Sequence, residues 1–233
     1  MNQIIVAMDM EIPNGFKLMS EIRTSKQVYG YKIGSLWILD RSKDILRIFR
    51  RHLNSVFEST DSDHKIILDM QKWGTDIPDI IKKQVEKVAP YVDELICCPM
   101  GAGSESLKMF AKTCIDNNVK PICVLEMTHP NADSYLHYHA YMSILHNAMF
   151  SGIRNFVIPA TKEPKNDIKE MIKLRYGYDI DIDFYATGFK VQEGQIKPMV
   201  DFGVTKFIVG RAIYEAENPI KAVEDIYREI NEE

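Results

Sequence analysis

Apolar residues along the chain fall into two alternating kinds of segment. Short runs rich in β-branched residues recur at 3–9 (QIIVAMD), 28–34 (VYGYKIG), 65–69 (KIILD), 94–98 (ELICC), 121–127 (PICVLEM), 155–160 (NFVIPA), 181–187 (DIDFYAT) and 206–211 (KFIVGR). Several lack strict polar–apolar alternation, as expected of parallel strands covered on both faces. Between them lie longer stretches with helical spacing. Residues 44–58 place Ile45, Ile48, Phe49, Leu53 and Phe57 on one stripe, and 76–92 do the same with Ile80, Ile81, Val85 and Val88. The stretch 104–118 opens on Ser104 as a cap, 135–152 stops at Gly152, and 219–230 opens on Pro219, all common helix boundaries. No Ser/Gly/Pro-rich linker divides the 233 residues. Eight strands alternating with helices predict a single (β/α)8 barrel domain over 1–233. A doubly wound open sheet is the alternative. It would be favoured by GxGxxG after the first strand, and DMEIPNG at 9–15 is not that motif.

Composition narrows the function classes. The chain is 45% apolar and 27% charged with a net charge of -4, ordinary for a globular enzyme and without the basic excess of a nucleic-acid surface. No apolar run is long enough for a bilayer, and MNQIIVAMDM lacks a basic n-region and cleavage site. Cys97, Cys98, Cys114 and Cys123 form no CxxC pair; they read as buried free thiols in a reducing cytoplasm. His129, His137, His139 and His146 lie close in sequence, yet their spacing matches no zinc pattern, so they read as surface or packed histidines.

In such a barrel, function gathers at the C-terminal strand ends. Those ends carry Asp9, Lys32, Asp69, Glu126 with Thr128, Thr161, Thr187, and Gly210 with Arg211. A single Asp ending a strand is more often a turn or cap residue. Three charges of mixed sign converging on one mouth from strands 1, 2 and 3 are harder to assign to turns. Gly210 and Arg211 fall in the loop after strand 8, where barrels commonly bind phosphate; glycine lets backbone N–H groups approach and arginine offers a planar fork. Residues 212–218 could form the short extra helix found at such sites. The preceding loop, ATGFKVQEGQI at 186–196, reads as a lid with Lys190 and Gln192 as donors.

These residues resemble the orotidine 5'-phosphate decarboxylase family, within the superfamily that also holds ketogulonate-phosphate decarboxylases and hexulose-phosphate synthases. The resemblance covers essentially the whole chain. It rests on VAMDM, YKIG, the Asp69–Lys72–Asp76 segment with DIP, EMTHP, the Gln192 lid and FIVGRAIYEAENP. It implies decarboxylation of orotidine 5'-phosphate to UMP with no metal and no organic cofactor. Asp9 would hold ribose hydroxyls, and Lys32 would tie the ribose to the charged array. Asp69 would sit beside the substrate carboxylate. Lys72 would protonate C6. Asp76 would reach into a neighbouring subunit's site, making a homodimer. Thr128 would bond the pyrimidine amide edge, and Gln192, Gly210 and Arg211 would bind phosphate.

The family motif is D-x-K-x-x-D, whereas here it is Asp69-Met-Gln-Lys72-Trp-Gly-Thr-Asp76, two residues longer. On an ideal strand Asp69 and Lys72 would face opposite ways, so an early turn near Met70 and Gln71 is required; otherwise Gln71 takes the general-acid position. Ile80 stands where many members have Thr, Lys190 replaces a small lid residue, and Trp73 would shield the mouth or join the dimer contact.

The chemistry explains the pattern. Loss of carbon dioxide leaves a carbanion at C6, and an ammonium fixed there stabilises it late in the reaction and supplies the proton. Flanking carboxylates keep that ammonium charged. Two other readings stand beside this one. One is a Mg-dependent sugar-phosphate enzyme of the same superfamily, in which the end of strand 2 carries an acidic ligand; Lys32 has no lone pair and repels a cation. The other is a non-catalytic phosphate-ligand binder on the same barrel.

Overall fold

Parallel pairing runs from strand to strand in chain order and returns to its start. The strands are β1 (Gln3–Ala7), β2 (Val28–Gly34), β3 (Lys65–Asp69), β4 (Glu94–Cys97), β5 (Lys120–Val124), β6 (Asn155–Pro159), β7 (Asp183–Thr187) and β8 (Val204–Val209). β1 pairs with β2 on one side and β8 on the other, from Gln3 opposite Lys206 to Val6 opposite Val209, which closes the barrel. The (β/α)8 expectation therefore holds. The computed structural model describes residues 1–41, 44–57, 63–71, 76–132, 134, 138–162, 168–169, 173, 180–189 and 196–231.

The helices are α1 (Ile12–Ile22), α2 (Ser35–Arg41), α3 (Asp44–Phe57), α4 (Pro78–Val88), α5 (Gly103–Asp116), α6 (Tyr138–Phe150), α7 (Ile196–Phe202), α8 (Arg211–Tyr214) and α9 (Pro219–Asn231). The sequence pattern does not predict α1, because Pro13 and Gly15 look like a turn. Pro13 instead sits in the first turn, where its missing N–H costs nothing. Gly15 is needed for packing, since a Cβ there would lie 2.2 Å from the Trp37 ring. β1, β5 and β8 end two or three residues before the expected spans do, and on the expected helices three details differ. On α3 Leu46 is buried and Ile48 is 48% exposed. On α4 the buried set is Ile81, Val85 and Val88, with Ile80 only half-buried. On α5 the N-cap position is Ala102, so Ser104 lies inside the helix. The stop at Gly152 holds, with φ +92°.

Alternation along the strands makes two apolar layers. Ile5, Ala7, Ile67, Ile96, Ile122, Val124, Val157 and Ile208 fill the barrel interior. Ile4, Val6, Ile66, Leu68, Leu95 and Cys97 face outward to the helices. Cys97 and Cys98 do point opposite ways, Cys97 into the outer layer and Cys98 against the inner one. All four cysteines are free, with Cys98 half-buried and the others buried. Burial pushes the Cys98 thiol up to about 11, which marks packing rather than reactivity.

The N-terminal end of the barrel is closed by polar side chains. Glu94, 1% exposed, stands at its centre. Tyr29 donates to its Oε1 at 2.5 Å and Tyr185 to its Oε2 at 3.1 Å, while Lys120 Nζ lies 3.0 Å from Oε1. Lys206 Nζ pairs with Asp183 at 2.9 Å and lies over the rings of Tyr29 and Tyr185. Burial, then the Glu94 charge, pushes both phenols far above their ordinary range.

Candidate active site

The opposite, C-terminal end opens into a cavity of about 330 Å³. Its charged side is built from three adjacent strands. Lys32 lies near the end of β2, Asp69 is the last residue of β3, and Asp9 follows the end of β1. The register sets Lys32 opposite Ala7 on one neighbour and Ile67 on the other. Lys32 Nζ consequently reaches both acids, at 3.1 Å from Asp69 Oδ2 and 3.3 Å from Asp9 Oδ1. Gly34 keeps room beside them, since a Cβ there would lie 3.0 Å from Asp9 Oδ1.

Lys32 is 8% exposed. Burial alone would push its pKa down, but Asp69 first and then Asp9 outweigh that and hold it above the ordinary lysine value. The stabilisation from Lys32 is therefore fully present below the unfolded lysine pKa of about 10.4 and is lost as pH rises through the folded value. The melting-temperature difference between wild type and Lys32→Met is expected to stay constant from about pH 7 to 9 and to shrink above roughly pH 10.5. A difference that shrinks already between these neutral values would contradict the pairing.

Asp69 has one oxygen on Lys32 and its Oδ1 buried with no hydrogen-bond partner among the described residues. A second donor is thus called for at this point of the mouth. Alternation continues past the strand: Met70 packs into the outer layer and Gln71 lines the cavity, while the Gln71 backbone carbonyl accepts from Cys98 N at 2.9 Å. The strand ends at Asp69, with a turn at Gln71, and of the two candidate positions for the general acid it is Gln71 that lies among the described residues and faces the cavity. Lys72, Trp73, Lys190 and Gln192 lie outside the described residues. Asp76 is exposed and does not line this cavity; its Oδ1 accepts from Ile77 N at 2.7 Å and its carbonyl from Ser106 Oγ at 2.7 Å.

The other walls come from β5, β7 and β8. Glu126, Met127 and Thr128 follow β5, Gly188 and Phe189 follow β7, and Gly210, Arg211 and Tyr214 follow β8. Arg211 opens the four-residue α8, the short helix expected at this place. Asp9, Lys32, Asp69, Thr128, Gly210 and Arg211 thus share one cavity. Sequence reasoning missed Tyr214, whose signal is its place one helical turn beyond Arg211. Burial first, then Asp9 and Glu215, pushes its phenol up. It also missed Lys162, whose Nζ lies 2.5 Å from Glu126 Oε1; no local spacing reveals that pair. Trp37 belongs to the core, donating from Nε1 to the Met10 carbonyl at 2.6 Å.

Among the described residues no group of three or more His, Cys, Asp or Glu side chains is arranged to hold a metal ion. His129 and His139 are exposed and His146 is half-buried, while His137 lies outside the described residues. No described helix is long and apolar enough to cross a membrane.

Comparison with known proteins adds sequence and shape. The orotidine 5'-phosphate decarboxylase of Methanosphaera stadtmanae is 30% identical over 231 residues, covering 98% of this chain and 97% of its own length. The enzyme of the same name from Methanosarcina mazei is 27% identical over 232 residues, covering 99% and 96%. In fold, the chain superposes on the crystal structure of orotidine 5'-monophosphate decarboxylase from Methanocaldococcus jannaschii, complexed with inhibitor BMP, with a TM-score of 0.81 at 22% identity and full coverage of both chains. Residues 2–226 match the family described as orotidine 5'-phosphate decarboxylase / HUMPS. With a closed barrel, full-length relatives and a charged mouth in agreement, the chain belongs to that family.

Proposed function

We propose that this chain is a carboxy-lyase that converts orotidine 5'-phosphate to UMP in pyrimidine synthesis, as one barrel domain over 1–233. The observation that carries this reading is the Asp9–Lys32–Asp69 array, in a cavity whose adjoining wall, beyond β8, holds Gly210 and Arg211. Arg211 and the backbone at Gly210 take the phosphate, with Gln192 from the lid. Asp9 and Lys32 take the ribose. Thr128 meets the amide edge of the base. Asp69 faces the substrate carboxylate, and its Oδ1, without a hydrogen-bond partner among the described residues, supports a second cation here, the role this reading gives to Lys72 as the acid that protonates C6. Phosphate binding, remote from C6, helps to drive lid closure and so assists the chemistry.

Asp76, set apart from its own cavity, completes the site of a second copy. Leu36, Leu39 and Ile77 support a homodimer: they are 60%, 82% and 63% exposed, and they follow β2 and β3 at the cavity end. The free thiols suit a reducing cytoplasm. The Lys32 ammonium, at a place where a magnesium enzyme needs a lone pair, favours cofactor-free decarboxylation over sugar-phosphate chemistry.

A spectrophotometric assay of purified protein tests the reading. Orotidine 5'-phosphate is expected to be turned over at an unchanged rate in excess chelator, and the protein is expected to elute as a dimer. UMP binding without carbon dioxide release would instead identify a non-catalytic binder, and chelator-sensitive turnover would point to the magnesium branch.

A further inference from the structure

The end of β6 is tied sideways to the end of its neighbour β5. Thr161 and Lys162 follow that strand, and both grip the segment that follows β5. Thr161 Oγ1 donates to the Thr128 carbonyl at 3.0 Å. Lys162 Nζ pairs with Glu126 Oε1, and the Glu126 side chain is only 5% exposed. A carboxylate that deep requires a cation. Backbone pairing links the two strands as far as Leu125 N to Val157 O at 3.0 Å. Past that rung, the Thr161 and Lys162 side chains link the two segments among the described residues.

We propose that Thr161 and Lys162 are positioning residues for pyrimidine recognition. With Glu126 as anchor, they fix the Thr128 peptide so that the Thr128 hydroxyl meets the base at hydrogen-bonding distance and angle. This rests on the reading of Thr128 as the contact to the amide edge. A hydrogen bond weakens steeply when its geometry slips, and misplacement by one ångström is costly even when it originates away from the ligand. The clamp joins the segments after β5 and β6, whereas Gly210 and Arg211 follow β8, so its effect is expected to be confined to ligands that carry a base.

Calorimetry with UMP and ribose 5-phosphate, together with steady-state kinetics, tests the clamp. Two variants release it: Thr161→Val, and the pair Glu126→Gln with Lys162→Met, which removes both charges of the ion pair together. Each is expected to weaken UMP binding and raise KM by about five- to tenfold, with ribose 5-phosphate affinity held within about twofold. Lys162→Arg keeps the ion pair and is expected to behave as wild type. In a Thr128→Ala background, adding Thr161→Val is expected to cost less than about twofold more, because both changes remove the same contact. Full additivity there, beside a normal Thr128→Ala defect, overturns the clamp alone. Wild-type UMP affinity in Thr128→Ala removes the base-contact reading itself and the clamp with it. Equal weakening of ribose 5-phosphate also overturns the proposal. If the Glu126/Lys162 pair variant melts early, Thr161→Val, nearly isosteric, carries the test.

Discussion

Lys72→Ala is expected to lower kcat for orotidine 5'-phosphate by about 10⁴-fold or more, while the affinity for UMP changes little. The size follows from two losses at once. Removing a general acid typically costs about 10²- to 10⁴-fold, and removing a charge aimed at a developing carbanion costs about 10²- to 10³-fold. UMP affinity is spared because Arg211, Gly210, Asp9 and Lys32 all lie on parts of the cavity that this substitution leaves in place. Single-turnover kinetics with UMP titration check both halves. Equal turnover by the two proteins would take Lys72 out of its role and turn attention to Gln71, which does face the cavity.

Glu94→Ala is expected to be the most damaging substitution for stability, at about 3–5 kcal/mol. The removed carboxylate is the shared acceptor of two tyrosines and a lysine at the centre of the closed end. Its loss leaves those donors without their acceptor, and Lys120 without its counter-charge. For a domain of this size each kcal/mol shifts the melting temperature by about 2–4 °C, so a fall of roughly 10 °C is expected in a thermal scan. Because the closed end lies at the opposite strand termini from the Asp9–Lys32–Asp69 array, KM for the folded fraction at low temperature is expected to stay near wild type. A melt that hardly moves would show that water replaces the carboxylate without cost.

The strands were readable because their short β-branched runs are bounded by polar residues, and their ends then placed Asp9, Lys32, Asp69, Thr128 and Arg211 around one mouth. Adjacent strand ends in a closed parallel barrel must be neighbours, so the charged array needed no tertiary guess beyond the count of strands. Helix α1 was not readable, because its first turn carries Pro13 and Gly15, and the reason for Gly15 is a tryptophan 22 residues further on. Ile48 and Leu46 exchanged places because the stripe on α3 is set by what packs against it, not by spacing alone. The Glu126–Lys162 pair and the Glu94 cluster escaped for a related reason: each joins residues on different strands, and one-dimensional spacing carries no record of such distances. Asp76, which the resemblance assigns to a neighbouring subunit's site, does not line its own chain's cavity.

The seam between β1 and β8 has a consequence for biogenesis. Beside it, Asn2 before β1 and Asn231 at the end of α9 exchange hydrogen bonds, Asn2 N to Asn231 Oδ1 at 2.8 Å and Asn231 Nδ2 to the Asn2 carbonyl at 3.2 Å. Asp9, after β1, and Arg211, after β8, come to line one cavity only when nearly the whole polypeptide has emerged from the ribosome. Closure of such distant segments is slow, so nucleotide affinity should arise late and all at once during synthesis, and nascent chains stalled before β8 should not be retained on an immobilised UMP resin.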